Sequence, residues 1–300
     1  MNVSRLSGQS YKPSATLLRK SVKEVYVAAM RLPRLRTVLL TPLVLFAAFY
    51  VFFAIKFALD DNSVAPIDKS LAPHETIVLF GATGTAGDGI LKAALADSEI
   101  KKIHVITRRP SPRIEAGVAS GKVQMTLHTD YLDYSLLQQQ IAEADAVYWA
   151  IGISSIGVDE ETYGRIHVDF PMRFVSEWIN VSDKPDISFH YISSSDISSD
   201  SSAMWAREKV RAEESLIGFA EGTSLRVIAY RPDYIGPTPE EAHIGQNLLY
   251  WFFAPVKSAV RARQIGQAMI EVTARGSEFE NGDRLYTGKI IRFSDAYEKR

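Results

Sequence analysis

The sequence predicts an α/β protein with a doubly wound parallel sheet, preceded by one helix long enough to cross a bilayer. Three observations carry this. Short apolar runs alternate with helical patterns from residue 75 onward. The first of those runs stops at Gly81 and passes through Gly84 and Gly87 into a helix. Residues 37–55, TVLLTPLVLFAAFYVFFAI, carry no charge. Strands alternating with helices leave both sheet faces covered, which favours buried, continuously apolar parallel strands.

From the N-terminus, residues 1–36 read as a basic leader. They hold Arg5, Lys12, Arg19, Lys20, Lys23, Arg31, Arg34 and Arg36 against Glu24 alone. That segment is net +7 within a chain of net charge −1, so the remainder carries −8. A basic patch suits nucleic acid or a membrane surface. The apolar stretch that follows it decides for the membrane, and no nucleic-acid partner is expected.

Residues 37–59 are expected to form a single-pass transmembrane anchor. At about 1.5 Å per residue the uncharged core of this stretch spans roughly the hydrocarbon thickness. Pro42 falls near its start, where proline costs little, and Lys56 can snorkel at the far end. The apolar region is too long and too far from Met1 for a cleaved signal peptide. Residues 60–74 read as a linker with two prolines, and 75–300 as the folded domain. With no cysteine, disulfides and thiolate chemistry are excluded. The six histidines are scattered, so no metal site is expected.

Within the domain the expected strands are 76–80, 103–107, 123–127, 146–150, 187–193 and 225–230. Helical patterns lie at 89–96, 135–142, 161–180 and 203–219. Beyond residue 230 the only clear helical pattern is 263–274.

The strongest functional signal is residues 77–90, Ile-Val-Leu-Phe-Gly-Ala-Thr-Gly-Thr-Ala-Gly-Asp-Gly-Ile. A buried strand, a glycine turn and a helix start put free N–H groups and a partial positive charge where a pyrophosphate can sit. This is a Rossmann-type dinucleotide signature, with Gly81, Thr83, Gly84, Thr85, Ala86 and Gly87 as candidate contacts. The second strand ends in Thr107-Arg108-Arg109-Pro110 rather than in an acid. Two guanidiniums there favour a 2′-phosphate, hence NADP over NAD. Ligands bind at the carboxyl ends of such strands, which adds Asp130, Tyr131, Ala150, Ile151, Gly152 and Pro232.

Taken together, Gly81-Ala-Thr-Gly84-Thr-Ala-Gly87, Asp130-Tyr131, Ala150-Ile151-Gly152, Tyr191-Ile-Ser193-Ser194 and Arg231-Pro232 carry a family likeness. So does the late segment Val260–Met269. The chain resembles the short-chain dehydrogenase/reductases, in particular their atypical, Tat-interacting-protein-like branch with its fungal mitochondrial relatives. The resemblance covers about residues 75–300. It implies a serine that orients a carbonyl, here Ser193 or Ser194. It also implies a tyrosine acid–base group and, four residues on, a lysine that binds the nicotinamide ribose, here Lys209. The tyrosine position, however, is Trp205, in Trp205-Ala-Arg-Glu-Lys209. An indole N–H only donates a hydrogen bond and cannot exchange a proton near neutral pH.

Two functional readings therefore stay open. One is a membrane-anchored NADP(H)-dependent oxidoreductase acting on a small or lipophilic substrate. The other is a catalytically inactive cofactor-binding protein that scaffolds or regulates a membrane complex. The basic flank before the anchor, the acid-poor leader and the mitochondrial relatives favour a mitochondrial membrane, with the endoplasmic reticulum as the other option.

Overall fold

The computed structural model describes residues 35–59, 63–65, 67 and 74–300. The expected leader, and the linker apart from Ser63–Ala65, Ile67 and His74, lie outside the described residues. The chain divides after Phe52, and Phe53–Arg300 forms one unit. The anchor expected at 37–59 falls in helix α1 (Leu35–Leu59). Its Leu40–Leu59 stretch is long and apolar enough to cross a membrane, and none of it is buried.

The strands are β1 (Thr76–Phe80), β2 (Lys102–Thr107), β3 (Val123–Leu127), β4 (Ala146–Trp149), β5 (Ile187–Ile192), β6 (Leu225–Arg231), β7 (Tyr234–Gly236), β8 (Ala259–Arg261) and β9 (Arg284–Tyr286). Seven of them form one parallel sheet in the order β3-β2-β1-β4-β5-β6-β9, while β7 and β8 pair apart from it. The longer helices are α2 (Thr85–Ala96), α3 (Pro112–Ala119), α4 (Gln138–Ala142), α5 (Glu160–Gly164), α6 (Phe170–Val181), α7 (Met204–Ala220), α8 (Ile244–Phe253), α9 (Ala262–Ala274) and α10 (Thr287–Glu298).

The two-residue period of each strand sorts the core into two layers. Ile77, Leu79 and Tyr148 point to one face, where they meet Ile90 and Leu91 of α2, Ile265 and Met269 of α9, and Ile290 of α10. Val78, Phe80 and Trp149 point to the other, against Phe174 and Trp178 of α6 and Leu216 of α7. Each such side chain, fully withdrawn from water, contributes about 1.5–3 kcal/mol, which is why the strands read as unbroken apolar runs. Helices α2 and α9 touch backbone to backbone: a Cβ on Gly89 would lie 2.4 Å from the Ala262 carbonyl carbon, and one on Gly266 2.7 Å from the Ile90 Cα.

The expected elements up to residue 230 are found to within a few residues, but the region beyond is a correction. It holds β7, α8, β8, β9 and α10 as well as α9. The three added strands have three residues each, too short for a period to show, and α8 is apolar on its solvent side. Helix α3 also escaped the pattern, although Ser111 caps it, accepting from Ile114 N at 3.4 Å, and Pro112 opens it.

Candidate functional site

Sheet order reverses between β1 and β4, since β2 and β3 lie to one side and β5, β6 and β9 to the other. A crevice opens outside the strand ends at such a switch point. Phe80 pairs with Trp149, so Gly81 and Ala150 leave the sheet side by side. The approach is tight: Gly81 takes φ +74°, and a Cβ on it would stand 2.4 Å from the Ala150 carbonyl oxygen. Only glycine satisfies both demands.

Between these strand ends lies a cavity of about 730 Å³. Gly81, Thr83 and Gly84 form its floor, Thr107, Arg108 and Arg109 one side, Thr129 and Tyr131 another, and Ala150 through Ile153 a third. Nine of the residues proposed from sequence thus meet in one wall: Gly81, Thr83, Gly84, Arg108, Arg109, Tyr131, Ala150, Ile151 and Gly152. Its volume is in the range typical of pockets that enclose small ligands.

The floor is suited to an anion. Gly84 is the N-cap of α2 and no side chain caps that helix, so the first-turn N–H groups keep their partial positive charge. A Cβ on Gly84 would meet only the Gly81 carbonyl oxygen, at 3.5 Å, and otherwise points into open space. Gly87 is different: its Cβ would fall 2.0 Å from that same oxygen, so it packs the helix against the turn from behind. Thr85 and Ala86 belong to the first turn of α2 outside the wall. Among the described residues the wall carries Arg108, Arg109 and Arg165 and not one carboxylate. Among the described residues neither Arg108 nor Arg109 has an ion-pair partner, whereas Arg113 nearby is held by Asp88 at 2.9 Å. The Thr107 hydroxyl donates to the Arg109 carbonyl at 2.9 Å and fixes the turn that presents both arginines.

Asp130 is exposed, and its carboxylate accepts from Leu132 N at 3.0 Å, shaping the turn after β3. Pro232 is buried outside the wall, its carbonyl accepting from Ser195 N at 3.2 Å. The structure adds Thr162, Arg165, Ile166 and Phe170, which the sequence reading missed. They come from the crossover after β4, where α5 runs into α6 through one π-helical turn, Arg165–Asp169. Such turns often mark functional sites, but nothing in the residue pattern announces one.

Behind the wall lies the second group of candidates. Trp205 stands half-buried in the first turn of α7. One turn on, Lys209 is buried; its ammonium donates to the Ile192 carbonyl at 2.8 Å and to the Tyr191 hydroxyl at 3.3 Å. Tyr191 in turn donates to the His167 carbonyl at 3.2 Å, and His167 Nε2 accepts from Ile153 N at 3.3 Å, in the cavity wall. Ser193 is buried just past β5, and its hydroxyl has no partner among the described residues, while Ser194 is half-buried beside it. Arg207 pins the serine-rich loop by donating to the Ser201 and Ser202 carbonyls, at 2.9 and 3.0 Å.

Burial pushes Lys209 down to about 7, against a smaller upward pull from Glu213. Burial likewise pushes His167 down to about 2, so it stays neutral. Desolvation, then Glu208, pushes Tyr163 up to about 12, and burial raises Tyr191 well above its ordinary value. The lysine shift has a signed consequence. Between about pH 7 and its ordinary value of 10.5, the unfolded chain binds a proton at Lys209 that the native chain does not. Stability therefore rises with pH across that window. Lys209→Met removes the effect, so the Tm difference should favour the variant most near pH 6 and least near pH 10. A Tm difference that is flat with pH would mean that Lys209 stays charged throughout.

No protein-family model matches the chain. It is 31% identical over 155 residues to the leucinostatins biosynthesis cluster protein T of Purpureocillium lilacinum, across 50% of this chain and 54% of that protein. The chain thus spans about half the length of that relative. A 70-residue stretch is 37% identical to part of the hybrid PKS-NRPS synthetase gkaA of Penicillium citrinum, covering 22% of this chain and 2% of that one. Among solved structures, a Serratia marcescens short-chain dehydrogenase/reductase superposes with a TM-score of 0.57 at 17% identity, over 73% of this chain and all of that one (100%). A Saccharomyces cerevisiae short-chain dehydrogenase/reductase gives 0.56 at 13% identity, over 71% and 96%. A UDP-N-acetylglucosamine 4-epimerase of Methanobrevibacter ruminantium gives 0.53 at 17%, over 72% and 76%. Parallel strand order, glycine turn and switch-point crevice agree with these likenesses, and the chain has the Rossmann fold of the short-chain dehydrogenase/reductases.

Proposed function

We propose that this protein is a membrane-anchored, NADP(H)-binding oxidoreductase of the short-chain dehydrogenase/reductase type. One observation carries the cofactor: a cavity over an uncapped helix N-terminus whose wall holds, among the described residues, three arginines and no acid. The first turn of α2 would take the pyrophosphate, Arg108 and Arg109 the 2′-phosphate, and Ala150 to Ile153 would border the nicotinamide end. When bound, the nicotinamide supplies a hydride. The chain's own part is to exclude water, orient the acceptor and hold a proton. Ser193 and Lys209 lie buried behind the wall; the Ser193 hydroxyl, without a partner among the described residues, is the group that would orient a substrate oxygen brought to it, and Lys209, brought down to about 7, can hold a proton near neutrality. The biosynthetic name of the relative matched over half of this chain supports a biosynthetic intermediate as the substrate class.

NADPH should bind at least ~10-fold tighter than NADH, a difference of ~1.4 kcal/mol. Arg108→Ala combined with Arg109→Ala should erase most of that gap in a binding titration. Equal affinities in the wild type would remove the 2′-phosphate assignment.

A second reading has its own observation. Trp205 occupies the acid–base position, and Lys209 is spent on Ile192 and Tyr191 instead of facing the cavity. This favours a cofactor-binding protein without turnover. NADPH oxidation against a panel of carbonyls and quinones, run beside the titration, separates the two: binding with turnover supports the first, and binding without turnover the second. The apolar α1 supports a single-pass membrane location, and the basic leader supports a mitochondrial membrane.

A further inference from the structure

Helix α8 is turned inside out for a soluble surface. Ile244, Leu248, Trp251 and Phe252 recur at helical spacing on one side, with Leu249 beside them, and all five are exposed, Trp251 at 63%. The opposite side holds the helix in place. Arg261 donates to Asn247 at 2.8 Å and to the Pro237 carbonyl at 3.1 Å, and its guanidinium lies 3.6 Å above the Tyr250 ring centroid. The apolar face is therefore presented by a fixed helix.

Just past α8, Lys257 adopts a left-handed turn and enters a second cavity of about 370 Å³. Its wall combines Lys257, Lys289, Arg292 and Tyr286 with Asp233 and with Phe57. The Asp233 carboxylate accepts from the Thr287 hydroxyl at 2.9 Å, and among the described lining residues three cationic side chains stand with this one carboxylate. Phe57 belongs to the last turns of α1 and to the same unit as the domain, and the Lys257 ammonium stands 5.5 Å from its ring centroid. A basic, aromatic wall thus brings Phe57, near the end of the apolar helix, together with Val256, Lys257 and Ser258, which follow α8.

We propose that α8 lies in the interface of an anionic bilayer, with its Ile244–Phe252 face among the acyl chains and Lys257, Lys289 and Arg292 at the headgroups. This is how an apolar face bordered by cations binds a lipid surface. The proposal rests on the reading of α1 as a membrane anchor. It makes the domain a two-point membrane protein, with one face fixed against the lipid.

The full chain is reconstituted in phosphatidylcholine vesicles, with or without phosphatidylglycerol, carrying brominated acyl chains. Of the four tryptophans, Trp149 and Trp178 are fully buried and Trp205 is half-buried, so Trp251 is read as the emission difference between the wild type and Trp251→Phe. Trp251 emission should be quenched, and more strongly with phosphatidylglycerol. Leu248→Glu with Phe252→Glu should abolish the quenching while the chain still floats with the vesicles and resists carbonate. Lys289→Gln with Arg292→Gln should remove the phosphatidylglycerol dependence. A chain that floats with Trp251 unquenched overturns the proposal and leaves the anchor standing. If Trp251→Cys instead forms a disulfide between chains when an added oxidant takes the two thiols to the disulfide, a second copy covers the face and the proposal fails. A chain that does not float overturns the anchor and the proposal with it.

Discussion

Trp205→Tyr is expected to create or raise NADPH-dependent carbonyl reduction by about 10²–10⁴-fold, the usual worth of a positioned acid–base group. Ser193 and Lys209 hold the other two positions of the family resemblance, both behind the cavity wall. Ser193 lies just past β5 with a hydroxyl unpartnered among the described residues, and Lys209 stands one helical turn from residue 205 on the same face of α7. Trp205 is half-buried in the first turn of α7, so the smaller phenol leaves no sealed cavity. A cation nearby also favours phenolate, which brings the proton of a tyrosine closer to working range. The measurement is turnover of a carbonyl panel by both proteins at equal NADPH saturation. If Trp205→Tyr lowers a robust wild-type rate, the wild type uses another donor and the non-catalytic reading is lost. If turnover stays absent while NADPH binds, Lys209 is held too firmly by Ile192 and Tyr191 to serve.

Gly84→Val is expected to weaken NADPH binding by at least ~100-fold, ~2.7 kcal/mol, with the domain still folded. A Cβ there meets nothing of the protein closer than 3.5 Å, so a side chain can start at residue 84 without displacing the turn and would project where the pyrophosphate is expected. Gly81 and Gly87 behave differently, because Cβ atoms there would lie 2.4 and 2.0 Å from main-chain oxygens. Gly81→Ala and Gly87→Ala should therefore lower Tm with or without cofactor. Unchanged NADPH affinity in a folded Gly84→Val protein would place the site elsewhere.

The sequence by itself determined what depends on local pattern. Strand period, helix spacing and glycine punctuation located β1 to β6, the turn at Gly81 and the arginines after β2, because burial on two sheet faces writes itself into consecutive residues. Since a parallel sheet gathers its strand ends, those positions could be expected to converge, and nine candidates share the cavity wall. What the tertiary structure decided are relations between distant segments. Thr162, Arg165, Ile166 and Phe170 reach the cavity only because the crossover after β4 docks there through a π-helical turn. Three glycines of one motif divide into a turn residue, a ligand-facing residue and a packing residue according to what lies across from each. Lys209 matches its motif in sequence, yet desolvation in the core lowers it to about 7. The sequence reading singled out no helix at α8, and only its docking through Arg261 shows that its apolar side faces outward. Burial, close approach and proton affinity are set by neighbours far along the chain, and no local pattern encodes them.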